Sequence, residues 1–135
     1  MDKTCIQPAS LFDSRPYGFS QVVVVPAGKM VFISGQVAWD ANMQLSGPGD
    51  LASQADRTLI NLRTAIESAG GVLEDIVLLR LYKVNYQPAD GAIISMALRK
   101  YFGSISPPAS TWINVKGLAN PGFLIEIEAQ AVISS

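Results

Sequence analysis

Histidine is absent from this 135-residue chain, and cysteine occurs once, at Cys5. The first absence excludes Ser-His-Asp and Cys-His catalytic arrangements and histidine-built zinc sites. The second excludes an internal disulfide and a thiolate metal cage, and a lone thiol suits a reducing, cytoplasmic setting. Charge is sparse and balanced: ten basic and eleven acidic side chains give a net charge of −1. Without a basic surplus there is little to hold a phosphate backbone, so nucleic acid is not an expected partner. Long apolar runs are missing too. None approaches the ~20 residues that cross a bilayer, and the opening stretch MDKTCIQPASLFDSRPYG lacks the apolar centre of a signal peptide. Proton transfer, if the chain performs any, falls to Asp, Glu, Tyr, Lys, the chain termini or water.

What is present reads as one ordered domain over residues 1–135. Nearly half the residues are apolar, and a chain of this length can bury roughly two-thirds of its unfolded surface. After a polar, proline-containing lead-in of eighteen residues, FSQVVVV (19–25) and MVFISGQVAW (30–39) read as strands joined by the turn PAGK, and thus as a hairpin. Gly35, inside the second, marks a bulge or a close backbone approach. Asp50 suits a helix N-cap, and Leu51, Ala55, Leu59, Leu62, Ile66 and Ala69 then recur at helical spacing until Gly70-Gly71 stops them. Residues 72–85 are apolar on both faces, as in a central strand. Pro88 can open a second helix, which Gly103 ends. Strands at about 110–116 and 122–133, with ANPG between them, complete the order β-β-α-β-α-β-β. The expected architecture is α+β: one mixed sheet with two helices on one face.

Two helices leave the other face bare. In the last strand Phe123, Ile125, Ile127, Ala129, Ala131 and Ile133 suit the helix side, while Leu124, Glu126, Glu128, Gln130 and Val132 alternate with them. In the strand before it, Ser110, Trp112, Asn114 and Lys116 share a face, which we assign to the same bare side as Glu126. Such a mixed surface is better covered by further copies of the chain than by water, and polar groups held there need partners, water or a ligand. A cyclic homo-oligomer with clefts between subunits follows.

The stretches PYGFSQ, VFISGQV, DLASQADRTLINLRTAIESAGGVLEDIV, RKYF, PPAST and FLIEIEAQAV, in that order, resemble the Rid family (YjgF/UK114, often labelled endoribonuclease L-PSP) over about residues 15–133. The resemblance implies a chorismate-mutase-like fold, a homotrimer with three inter-subunit clefts, and hydrolysis of a reactive enamine or imine to a keto acid and ammonia without a metal or organic cofactor. It places Glu126 at the position of the family's water-orienting carboxylate, Tyr17 at its cleft tyrosine, and Ser34 and Gly35 beside the cleft. Ser110 stands where the family's P-A-R-S segment carries the arginine that clamps the substrate carboxylate. A hydroxyl cannot replace a bidentate guanidinium, so a ligand that is smaller, neutral or differently charged is expected. Trp112 joins the candidates because it shares the Ser110 face. Arg15, next to Pro16-Tyr17, is weighed as a substitute cation and read instead as an exposed charge.

Three functions remain open from the sequence. The first is a C–N hydrolase or deaminase in which Glu126 orients water and backbone amides near Ser110 hold the developing charge. The second is a non-catalytic small-ligand-binding or regulatory trimer that keeps the clefts but has lost the chemistry. The third, RNA cleavage, has least support in a weakly acidic chain without histidine.

Overall fold

The computed structural model of the protein describes residues 3–134; Met1, Asp2 and Ser135, the ends of the expected lead-in and domain, lie outside it. Eight regular elements follow one another: β1 (Thr4–Ile6), β2 (Val22–Val24), β3 (Lys29–Gln36), α1 (Leu51–Ser68), β4 (Ile76–Val84), α2 (Asp90–Phe102), β5 (Ala109–Val115) and β6 (Ile125–Ile133). The expected order is present, with β1 added in the lead-in. Four strands form a mixed sheet in the order β3-β6-β4-β5, and β1 pairs separately with β2.

Two pairings differ from expectation. The valine run of β2 pairs antiparallel with Thr4–Ile6, so it does not form a hairpin with β3; β3 pairs instead with β6. The ANPG segment is not a tight turn between neighbours, because β4 lies between β5 and β6. β4 is central, parallel to β5 and antiparallel to β6. That placement explains why both faces of its sequence are apolar.

The apolar stripe of α1 is buried as its spacing predicts. Leu59, Leu62 and Ile66 are fully enclosed and meet Ile76, Leu79, Leu81, Ile125 and Ile127 of the sheet and Ile94 and Leu98 of α2. Each such side chain contributes about 1.5–3 kcal/mol relative to exposure. Asp50 stands at the N-cap, but its carboxylate takes the Ser53 hydroxyl and caps no backbone amide. Gly70 ends the helix at φ +90°, a left-handed conformation that favours glycine. Fully buried Gln54 ties α1 to the entry of β6: its Nε2 donates to the Gly122 carbonyl at 2.9 Å, and its Oε1 accepts from the Leu124 amide at 2.9 Å. No helix among the described residues is long and apolar enough to cross a membrane.

Candidate functional site

Both helices lie on the face that carries Leu79, Leu81, Ile127 and Ala129. Cross-strand register then assigns every neighbouring side chain to a face. Leu81 pairs with Ile127 on one side and with Trp112 on the other, and Leu79 pairs with Ala129 and with Ser110. Ser110 and Trp112 therefore stand on the helix side. Tyr82 pairs with Glu126 and with Ile113, and Arg80 with Glu128 and with Thr111, on the open side. The face shared by Ser110 and Trp112 is thus the opposite of the one expected: the alternation within β5 holds, but its side does not. Parallel register against β4 decides that side, and a single strand's sequence does not contain it.

On the open side Glu126 packs against β3. A Cβ at Gly35 would collide with the Glu126 carboxylate, and Gly35 sits where the β3–β6 register is interrupted between Ile33 and Gln36. A bulge at a glycine gives the carboxylate room. Ser34, next to it, is exposed, and its carbonyl accepts a hydrogen bond from Gln36 Nε2 at 2.9 Å. The two carboxylates of β6 differ in their engagements. The Tyr82 hydroxyl donates to Glu128, which raises the tyrosine pKa. Among the described residues no donor is hydrogen bonded to the Glu126 carboxylate; burial and the neighbouring negative charge of Glu128 raise its pKa above the usual carboxylate range. Around this pair the sheet remains apolar and wet: Phe32 is 69% exposed and Met30 63%.

On the helix side, between α2 and β5, lies a cavity of about 770 Å³. Its walls include Tyr17, Phe19, Tyr86, Ser110 and Trp112. An aromatic arc runs along it: Phe12 meets Tyr17 and Phe19 edge-on at 6.0 and 6.2 Å, and Phe19 meets Trp112 at 6.0 Å. The arc is held by the lead-in. Ser20 donates its amide to the Pro108 carbonyl and its hydroxyl to that of Pro107, which fixes the start of β5 beside Phe19. Asn114 accepts from the Tyr86 amide at 2.8 Å and sets that ring at the rim. Trp112 Nε1 donates to Ser110 Oγ at 3.0 Å. The indole nitrogen is only a donor, so the serine keeps its own proton for another acceptor.

The candidates therefore fall into two groups. Glu126 and Gly35 meet on the open face, with Ser34 adjacent in the chain; Tyr17, Ser110 and Trp112 meet in the cavity on the other. Arg15 joins neither as a free cation. Its guanidinium forks onto Asp13 with two contacts of 2.8 Å, which hold the Asp13 pKa down to about 2. Sequence reasoning missed Tyr82 on the open face, and Phe12, Phe19, Tyr86, Ser95 and Arg99 in the cavity. A signal for the last two existed: Ala92, Ser95, Met96 and Arg99 recur at helical spacing along one face of α2. Among the described residues no three His, Cys, Asp or Glu side chains gather as a metal site would require.

Comparison with known proteins gives a consistent picture. The Endoribonuclease L-PSP family profile matches residues 13–133. The crystal structure of the Rid-family protein YyfB from Yersinia pestis is 40% identical and superposes with a TM-score of 0.94, over 98% of this chain and 100% of that one. Protein DfrA of Myxococcus xanthus is 32% identical over 114 residues, 84% of each chain. A 2-iminobutanoate/2-iminopropanoate deaminase of Dermatophagoides farinae is 28% identical over 120 residues, 88% of this chain and 89% of that one.

Proposed function

The chain belongs to the Endoribonuclease L-PSP, or Rid, family, and from that premise we propose that it hydrolyses a small enamine or imine in a site assembled between two copies of itself. The observation that carries this reading is the Glu126 carboxylate: half-buried against Gly35, free of donors among the described residues, and raised in pKa. A carboxylate so placed suits a general base. Its own face leaves it beside exposed apolar surface, while among the described residues no carboxylate lines the cavity on the other face. A trimer resolves both facts. The apolar open face around Phe32 and Met30 is covered, and the Glu126 of one copy meets the Tyr17, Ser110 and Trp112 cavity of the next. The likeness to a 2-imino acid deaminase supports the reaction class.

In this reading Glu126 takes a proton from water as the oxygen attacks the imine carbon. That proton passes to the imine nitrogen and gives a carbinolamine, whose hydroxyl proton then moves by way of Glu126 to the amino group as the C–N bond breaks and the C=O bond forms. Ammonia leaves, and a carbonyl compound remains. Tyr17 and the free proton of the Ser110 hydroxyl orient the substrate. The test is to generate a 2-imino acid in situ and follow its decay with and without the purified protein. Acceleration that is lost in Glu126→Gln is the expected result; decay at the spontaneous rate with every imine tried refutes the proposal.

A further inference from the structure

Position 110 offers a hydroxyl where the family resemblance implies a guanidinium, yet an arginine, Arg99, is among the residues that line the cavity. Arg99 lies on α2, one turn beyond Ser95, and both line the same wall. Cations nearby are already engaged: Lys83 with Asp90 at 3.1 Å and Lys100 with Asp56 at 2.7 Å. Among the described residues Arg99 has no ion pair, and no carboxylate lines the cavity it faces. Ser95 adds an independent sign. It is only 5% exposed, and its Oγ has no hydrogen-bond partner among the described residues. A buried hydroxyl left unpaired in a cavity wall costs stability unless a ligand or water satisfies it. With Ser110, whose proton is unspent on Trp112, and with Tyr17 and Tyr86, the cavity is lined by several donor residues and, among the described residues, by no competing anion.

We infer that this cavity takes a small carboxylic acid with an aromatic or comparably large apolar side chain, its carboxylate held by Arg99 and completed by the Ser95 and Ser110 hydroxyls. The inference rests on reading the cavity as the substrate half of the proposed site. Within the reaction above, the substrate class becomes a 2-imino acid, R–C(=NH)–COO⁻, with a bulky R. Water adds to the imine carbon, the C–N bond breaks, and ammonia and R–C(=O)–COO⁻ leave. A guanidinium fork matches a carboxylate bidentately, so moving it from the strand to the helix keeps the charge match while shifting where the rest of the substrate lies. That remainder falls along Phe19, Tyr86, Met96 and Trp112, apolar rings and a thioether that suit a large apolar group.

The stable 2-oxo acid products serve as probes. Calorimetric titration of the full chain with phenylpyruvate should give an affinity at least about tenfold above that for pyruvate, because the aromatic body is buried only in the former. Arg99→Gln should weaken phenylpyruvate binding about tenfold or more while leaving the neutral phenylacetone unaffected, since one charge-assisted contact is lost. Arg99→Lys, which keeps the charge without the fork, should fall between, and Ser95→Ala should give a smaller loss; melting curves establish that each variant is folded. Unchanged phenylpyruvate affinity in Arg99→Gln, or pyruvate bound as tightly as phenylpyruvate, overturns the inference. Binding and hydrolysis separate the two readings. Arg99-dependent binding without turnover of any imine leaves this inference standing and removes the hydrolase. Turnover that depends on Glu126 but not on Arg99 does the reverse.

Discussion

The open face around Glu126 and the cavity beside β5 are opposites in chemistry. The first holds two carboxylates on an exposed apolar sheet; the second is lined by an arginine, hydroxyls and an aromatic arc and, among the described residues, by no carboxylate. They lie on opposite faces of one layer, with β4 between their strands, so a single copy cannot present both to one small substrate. Each face carries what the other lacks. In the proposed reading the base and the substrate-holding groups are the two halves of a site that a neighbouring copy would complete.

The largest effect expected from breaking this division is at the base. Glu126→Gln should lower turnover about 10²–10⁴-fold, the usual range for a lost general base, with ligand binding in the cavity retained. Its acid limb gives a second reading. Turnover should fall as pH drops through a carboxyl value above the ordinary 4.5, the direction set by burial and by Glu128. Stability runs the other way. A carboxyl whose pKa is raised by folding binds protons more tightly when folded, so its contribution is present at acid pH and is lost as pH rises through the raised value. Glu126→Gln should therefore melt higher than the parent at neutral pH while being inactive, which differential scanning calorimetry and a pH–rate profile check together.

Gly35→Ala is expected to come next. The added methyl displaces the Glu126 carboxylate without touching the cavity, so turnover should drop on the order of tenfold or more, as misplaced catalytic groups do, with probe affinity unchanged. Equal losses in affinity and turnover would count against two separable regions. The smallest effect is at Ser110. Ser110→Ala removes the acceptor of the Trp112 indole N–H and should cost about 0.5–1.5 kcal/mol in denaturant unfolding.

Much of the frame was legible in the residues themselves. Leu59, Leu62 and Ile66 repeat at helical spacing and are buried together; Ile125, Ile127 and Ala129 alternate and face the helices; residues of the apolar run 76–84 form the central strand. Local periodicity carries that information. Pairing does not reside in periodicity. Val22–Val24 is an equally good partner for several strands, and the separate ladder with Thr4–Ile6 is decided by where the lead-in is anchored, at Ser14, Ser20 and Pro107. The side of Ser110 was lost for the same reason: alternation orders residues within β5, and only the register with Leu79 and Leu81 assigns the face. Glu126 and Gly35, 91 positions apart in the chain, were brought forward by family resemblance, and the structure places them in contact. Arg99 was overlooked because a cation near a helix end ordinarily reads as a dipole partner.

Subunit complementation tests the central claim most directly. Glu126→Gln removes the base and leaves the cavity intact; Ala92→Trp, at an exposed α2 position lining the cavity, fills it and leaves the base intact. Each homo-oligomer should be inactive. Unfolded together at equal amounts and refolded, they should recover about a quarter of parental activity, because about one inter-subunit site in four then receives both intact halves from two different copies. Mixtures as inactive as their components, under conditions where the parent refolds to full activity, would contradict a site shared between copies.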